Sequence, residues 1–63
     1  MKMIQLTSRT GVIFFLNPLS ICDVWPFGTE ASEISLTNGQ PLQVLEDPNL
    51  VATLFEEATV AIH

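Results

Sequence analysis

Side chains that could carry out catalysis are few in this chain and stand far apart. The 63 residues include one histidine, His63, and one cysteine, Cys22. A nucleophile needs a base beside it, and a metal site needs several histidine, cysteine or carboxylate ligands at short spacing. No such spacing occurs, so we expect no metal and no other cofactor. We expect Cys22 to be a small buried or half-buried apolar residue.

The carboxylates include two adjacent pairs, Glu46-Asp47 and Glu56-Glu57. Neighbours in sequence on a helix or at its cap point in different directions and do not converge on one site. The glycines stand singly, so no loop of the kind that cradles a phosphate is present. These observations predict a protein that is not an enzyme.

Charge is divided unevenly along the chain. The net charge is −5, the only two cations are Lys2 and Arg9, and all seven acids lie at Asp23 or beyond. Nucleic-acid binding relies on Lys and Arg to neutralise phosphates, so direct binding of DNA or RNA is not expected. A protein partner with a basic surface is permitted, although an acidic excess also serves solubility.

Hydropathy and cysteine content indicate the cellular compartment in which the protein acts. No apolar run approaches the ~20 residues that span a bilayer, so no membrane insertion is expected. The start lacks the continuous apolar core of a secretory signal, and a single cysteine suits a reducing environment. We therefore expect a cytoplasmic protein.

The residues available for binding must be positioned mainly by β-hairpins. In segment 33–45, alternating apolar residues flank Asn38-Gly39, a strong turn signal. A two-residue loop would put the apolar sets of the two strands on opposite faces. A three-residue loop with Gly39 left-handed pairs Ile34 with Leu42 and brings the aliphatic side chains to one face. We predict the three-residue loop.

The segment 3–16 forms a hairpin by the same rule, since a loop over 9–11 pairs Leu6 with Phe14. Its second strand is apolar on both faces, with Ile13 and Phe15 opposite to the face of Phe14. Such a run is typical of a strand covered on both sides. The second cover is the helix, the curvature of the sheet or another subunit, so the strand is either core on both sides of a curled sheet or part of a subunit interface.

A subunit interface would make Ile13 and Phe15 contact residues. A domain this small buries only ~60% of the surface of its unfolded chain, so its stability is marginal. We therefore also expect a homo-oligomer.

Residues 19–28 comprise a third strand and an aromatic loop. Ile21 and Val24 anchor the strand, and their spacing of three predicts a bulge or tight turn near residue 20. The aromatics of the loop, Trp25 and Phe27, either close the end of a barrel or anchor a partner, because Trp is enriched at binding hot spots.

A single helix is predicted over 48–61, with Asp47 as its N-cap and Pro48 at its first position. Glu56 and Val60 lie on its outer side and are candidate contact residues; a frayed end is the alternative explanation for Val60. An apolar stripe faces the core and comprises Leu50, Val51, Leu54, Phe55, Ala58, Ala61 and Ile62.

These elements predict one domain, 1–63, that is mainly β with one C-terminal helix. About five short antiparallel strands form a curled sheet or small open barrel, and the helix packs against it. The alternative is an α+β sheet with the helix flat on one face.

Several turn and core residues form a longer pattern: Ile4-x-Leu6-Thr7, Gly11, Phe15-x-Asn17-Pro18, Ile21-x-x-Val24, Ile34-x-Leu36-x-Asn38-Gly39, Val44-x-Glu46 and a helix with Val51. This pattern resembles the small FlbD/SwrD family of bacterial flagellar and swarming-motility proteins, whose relatives also occur in phages. The resemblance implies a small accessory protein that binds a larger one. The chain departs from that family in lacking basic residues after the second hairpin turn.

Two functions are therefore expected as alternatives. The first is a non-enzymatic protein-binding accessory or adaptor module, FlbD-like, that docks on a larger bacterial protein complex. The second is a phage-encoded acidic inhibitor, of the anti-CRISPR kind, of a host complex that handles nucleic acid or provides defence. Either would act in the cytoplasm of a bacterial or phage-infected cell.

Overall fold

The computed structural model describes residues 2–60, apart from the side chain of Val60. The described chain is mainly β with one C-terminal helix, as predicted. Its elements are strands β1 (Ile4–Thr7), β2 (Ile13–Leu16), β3 (Ile21–Phe27), β4 (Ala31–Leu36) and β5 (Pro41–Val44), a 3-10 helix (Pro18–Ser20) and helix α1 (Pro48–Val60).

Both predicted hairpin registers are confirmed. Leu6 lies opposite Phe14 in the β1–β2 pair, and Ile34 lies opposite Leu42 in the β4–β5 pair. Each three-residue loop ends in a glycine with positive φ, +90° in the first hairpin and +87° in the second. Glycine adopts this conformation at no steric cost, which fixes the loop length and hence the register.

The aromatic segment was predicted to be a loop, and this is wrong. Trp25, Pro26 and Phe27 all belong to β3, and Phe27 lies opposite Ala31 of β4. A tight turn that begins at Gly28 joins the two strands. A proline fits here because β3 is an edge strand, where a missing amide leaves no ladder hydrogen bond unmade.

A β-bulge explains the spacing of three between Ile21 and Val24. The register shifts between Ile21 and Asp23, so Cys22 is the extra residue. The insertion reverses the alternation of side chains, and both Ile21 and Val24 therefore pack against the core.

A short seam joins the sheet β1–β2 to the sheet β3–β4–β5. Ser8 forms an isolated antiparallel bridge with Val44. The Leu45 amide donates to the Thr7 carbonyl at 2.9 Å, and the Thr7 amide donates to Oε1 of Glu46 at 2.9 Å. The strands consequently follow one another in the order β2-β1-β5-β4-β3, as a curled sheet that does not close into a barrel.

The core fills the concave side of this curl, where α1 contacts β1, β3 and β4. The predicted stripe is confirmed for Val51, Leu54 and Ala58 but is wrong for Leu50, which is exposed. Leu50 is about 100° around the helix from Val51, so it lies at the margin of a stripe centred on Val51 and Ala58. Ala61 and Ile62 lie outside the described residues. The buried hydrophobic residues are Ile4, Leu6, Ile34, Val44, Val51 and Ala58.

The N-cap of α1 gives a test of the fold. Oδ1 of Asp47 accepts the Leu50 amide at 2.8 Å. We expect Asp47→Ala to lower the free energy of unfolding by about 0.5–2 kcal/mol, because it leaves that amide without its acceptor. Urea denaturation followed by circular dichroism measures the change. Asp47→Asn keeps an acceptor and should retain most of the stability; an equal loss in both variants would contradict the capping role.

Candidate protein-binding surface

In the described residues, no element packs over the convex side of the curled sheet. Alternate side chains of each strand point to this side. Large apolar residues there are exposed to solvent, with 59% of Ile13, 62% of Phe15 and 59% of Trp25 accessible. The curl therefore presents apolar surface that its single helix leaves uncovered.

The exposed indole of Trp25 belongs to a mixed aromatic and polar surface on β3, β4 and β5, of which β3 is the edge strand. Trp25 pairs across the strands with Glu33, which pairs in turn with Gln43. The indole Nε1 donates to Oδ1 of Asp23 at 2.9 Å, which orients the ring without burying it. We call this surface the Trp25 face, and it comprises Arg9, Asp23, Trp25, Phe27, Glu33 and Gln43.

Arg9 connects the first hairpin to the Trp25 face. Its guanidinium lies 5.2 Å from the centre of the Phe27 ring, within the range of a cation–π contact. Its Nη1 donates to Oε1 of Gln43 at 2.8 Å, and Nε2 of Gln43 donates to Oε1 of Glu33 at 3.2 Å. These contacts link Arg9, Phe27, Glu33 and Gln43 to one another across the face.

The Trp25 face continues past Phe27 into shallow depressions that the sequence analysis did not select. The first is lined in part by Phe27 and Leu45, and a second, adjoining one by Leu45 and Leu50. Leu45 and Leu50 are both exposed. The outward position of Leu45 was readable from the alternation of β5, since Leu42 and Val44 face the core.

The exposed residues Ile13 and Phe15 form a separate patch on β2, paired with Thr7 and Gln5 of β1. The interpretation that the rest of the sheet covers them is wrong. The curl stays open, and α1 occupies its concave side, so neither can reach the outer face of β2.

The two candidate contact residues on α1, Glu56 and Val60, are not part of the Trp25 face or of the patch on β2. Glu56 is at the rim of a groove of about 420 Å³ between β3 and α1, while the side chain of Val60 lies outside the described residues. Cys22 lines the same groove and is exposed, so the expectation that it is buried or half-buried is wrong. The bulge at Cys22 turns it away from the core. The other lining residues are Ile21, Asp23, Val24, Ala52, Phe55 and Thr59.

More than half of the acids accept hydrogen bonds within the chain. Their donors are the Trp25 indole, the Gln43 amide and the backbone amides of Thr7 and Leu50. Much of the negative charge therefore has a structural partner. The four acids are Asp23, Glu33, Glu46 and Asp47.

In residues 2–60 no group of three histidine, cysteine or acidic residues could hold a metal ion. No helix within the described chain is long and apolar enough to cross a membrane. Comparison with protein-family models, curated proteins and solved structures finds no match. The function must therefore be argued from the geometry of the surface.

The hydrogen bond between Asp23 and Trp25 can be tested directly. We expect Asp23→Ala to free the indole, so that the Trp25 Nε1–H resonance shifts and exchanges faster with solvent. The free energy of unfolding should change by less than about 1 kcal/mol, because both groups are exposed. Nuclear magnetic resonance reports the first effect and urea denaturation the second. Glu30→Ala removes another exposed acid and should leave the indole resonance in place; an unchanged resonance in Asp23→Ala would contradict the contact.

Proposed function

We propose that this chain is a small non-enzymatic protein-binding module, an accessory or adaptor that docks on a larger bacterial protein complex through the Trp25 face. One observation carries the proposal. The single tryptophan lies exposed on a sheet, oriented by Asp23, and is surrounded by side chains that already hydrogen-bond with one another.

The composition of the Trp25 face supports this proposal. Trp and Arg are the side chains most enriched at binding hot spots. Arg9 and Trp25 are held by contacts within the chain, so little rotamer freedom remains to be lost on binding. Glu33 and Gln43 supply the polar groups that border an apolar centre in typical interfaces.

The resemblance of the turn and core residues to the FlbD/SwrD family supports the same class, a small accessory protein. The second hypothesis, a phage-encoded acidic inhibitor of a nucleic-acid-handling or defence complex, draws on the net charge of −5. Four of the seven acids accept hydrogen bonds from groups within the chain, which argues against a surface devoted to mimicking nucleic acid. We place either activity in the cytoplasm of a bacterial or phage-infected cell.

Replacement of the tryptophan tests the proposal. The tagged chain is used to capture partners from bacterial lysate, and affinity for the captured protein is then measured by calorimetry. We expect Trp25→Ala to weaken binding about 30-fold or more, the loss typical of a hot spot. Its free energy of unfolding should fall by less than about 1 kcal/mol, because the side chain is exposed.

Leu19→Ala is the matched control, since it also truncates an exposed apolar side chain but lies in the 3-10 helix, outside the Trp25 face and the depressions that continue it. It should bind like the wild-type chain. If Trp25→Ala lost stability and affinity together, the residue would be structural and the proposal would fail.

Ionic strength distinguishes the two functions. Attraction between exposed charges is screened by salt, whereas apolar contacts are not. A complex held by the Trp25 face should therefore keep its affinity as salt is raised. A steep loss of affinity would favour the acidic inhibitor.

A further inference from the structure

Strand β2 has an open edge that carries none of the usual protection against pairing. It pairs with β1 on one side, and within residues 2–60 no strand pairs with its other side. Natural proteins protect such edges with charge, proline or a bulge. The four residues of β2, Ile13–Leu16, include neither charge nor proline, and their register with β1 is unbroken.

The other open edge of the curl, on β3, is protected, in contrast to the edge of β2. It carries the bulge at Cys22, the charge of Asp23 and Pro26, which lacks an amide hydrogen. Each of these features obstructs the addition of another strand. Among the strands that the structure describes, only β2 therefore presents an edge suited to backbone pairing.

The hydrogen bonds of the first hairpin show which backbone groups are directed to the open edge of β2. The Ser8 amide donates to the Val12 carbonyl at 2.8 Å, so this pair is hydrogen-bonded. Hydrogen-bonded and non-hydrogen-bonded pairs alternate in an antiparallel ladder. The pairs that contain Ile13 and Phe15 are thus non-hydrogen-bonded, and the amides and carbonyls of these two residues point away from β1.

The orientation of Thr7, the partner of Ile13, supports this assignment independently. Its amide donates to Glu46 and its carbonyl accepts from Leu45, both on the side of β1 away from β2. The backbone groups of Thr7 therefore do not bond to Ile13.

We propose that a second copy of this chain pairs with β2 antiparallel and in register about Phe14, which produces a continuous four-stranded sheet in the order β1-β2-β2-β1. In this register Ile13 lies opposite Phe15 of the second copy, and Phe15 opposite its Ile13. The two residues with outward-directed backbone groups then satisfy each other in two hydrogen-bonded pairs.

The side chains fit the same register. On the convex side, Ile13 of each copy lies opposite Phe15 of the other copy. Cross-strand pairs of a β-branched and an aromatic side chain stabilise sheets. On the concave side, the exposed Val12 meets Leu16 of the second copy. One symmetric arrangement thus gives neighbours to four exposed or half-exposed apolar residues at once.

The lack of charge along β2 permits pairing with a second copy and disfavours a charged strand. Residues 10–22 contain no charged side chain, so the two copies bring no like charges together along the paired edges. All seven acids lie at Asp23 or later, outside the paired segment. A basic or acidic partner would find no complementary charge at this edge.

The paired edge is short compared with a standard interface of ~800 Å² per partner, so the dimer should dissociate on dilution. Sedimentation equilibrium on the full chain over a range of concentrations measures the mass. We expect a mass that rises from one chain, 6.9 kDa, towards twice that value. Phe15→Lys should halve the mass found at the highest concentration, because a charged residue on an edge strand blocks pairing.

The matched control is Gln5→Lys, which places the same charge on the same face of the hairpin, on β1 directly opposite Phe15. It should dimerise like the wild-type chain. Ile13→Lys is a second disrupting variant, and circular dichroism confirms that each variant is folded. In a mixture of labelled and unlabelled chains, an inter-chain contact between the Hα atoms of Val12 and Leu16 would establish the register.

A wild-type chain that stays monomeric at the concentration of a magnetic resonance sample would overturn the proposal. A dimer unaffected by Phe15→Lys, or equally weakened by Gln5→Lys, would also overturn it, because the interface would then lie elsewhere. This inference does not depend on the proposed function, since Trp25→Ala leaves the edge of β2 intact and should dimerise normally.

Discussion

A sheet has two faces, and within residues 2–60 one α-helix is available to cover them. The helix α1 packs into the concave side of the curl, where Leu6, Ile34, Val44 and Val51 are fully buried. Among the described residues, no element of comparable size packs against the convex side. Large apolar side chains on that side stay in water, and two separate surfaces result, one around Trp25 and the other along β2. Exposed apolar groups of this size are typical of interaction sites.

Hydrogen bonds join the two sheets and hold them in their relative orientation. The seam is brief, and Glu46 contributes twice to this region. Its carboxylate accepts the Thr7 amide, and its carbonyl accepts the hydroxyl of the buried Ser32 at 2.7 Å. The seam keeps Ile4 and Leu6 of β1 facing the same core as Ile34 and Val44. Because Arg9 follows β1 in the chain, the seam also places Arg9 beside Phe27 and Gln43. The fold and the Trp25 face therefore depend on the same hydrogen bonds.

Local signals in the sequence were sufficient for the hairpins and the helix, and insufficient for the surface. Gly11 and Gly39 determine their loops, and Asp47 determines the beginning of α1, because each acts on residues within a few positions of itself. Pro26 and Gly28 suggested a loop, whereas the pairing of β3 with β4 outweighs both. The contact of Arg9 with Phe27 joins residues of different hairpins, and no local pattern reveals it. The sequence shows that Ile13 and Phe15 are apolar, but only the open curl shows that nothing in the described chain covers them.

The single tryptophan allows the exposure of the convex side to be measured without a partner. In dilute solution, Trp25 should emit at the long wavelengths of a hydrated indole, and acrylamide should quench it nearly as well as it quenches a free tryptophan derivative. The emission should not change with the concentration of the chain, because Trp25 lies on β3, at the edge of the curl opposite β2. A short-wavelength emission that resists quenching would mean that the indole is covered, and would contradict the central claim that this face of the sheet stands open for a partner.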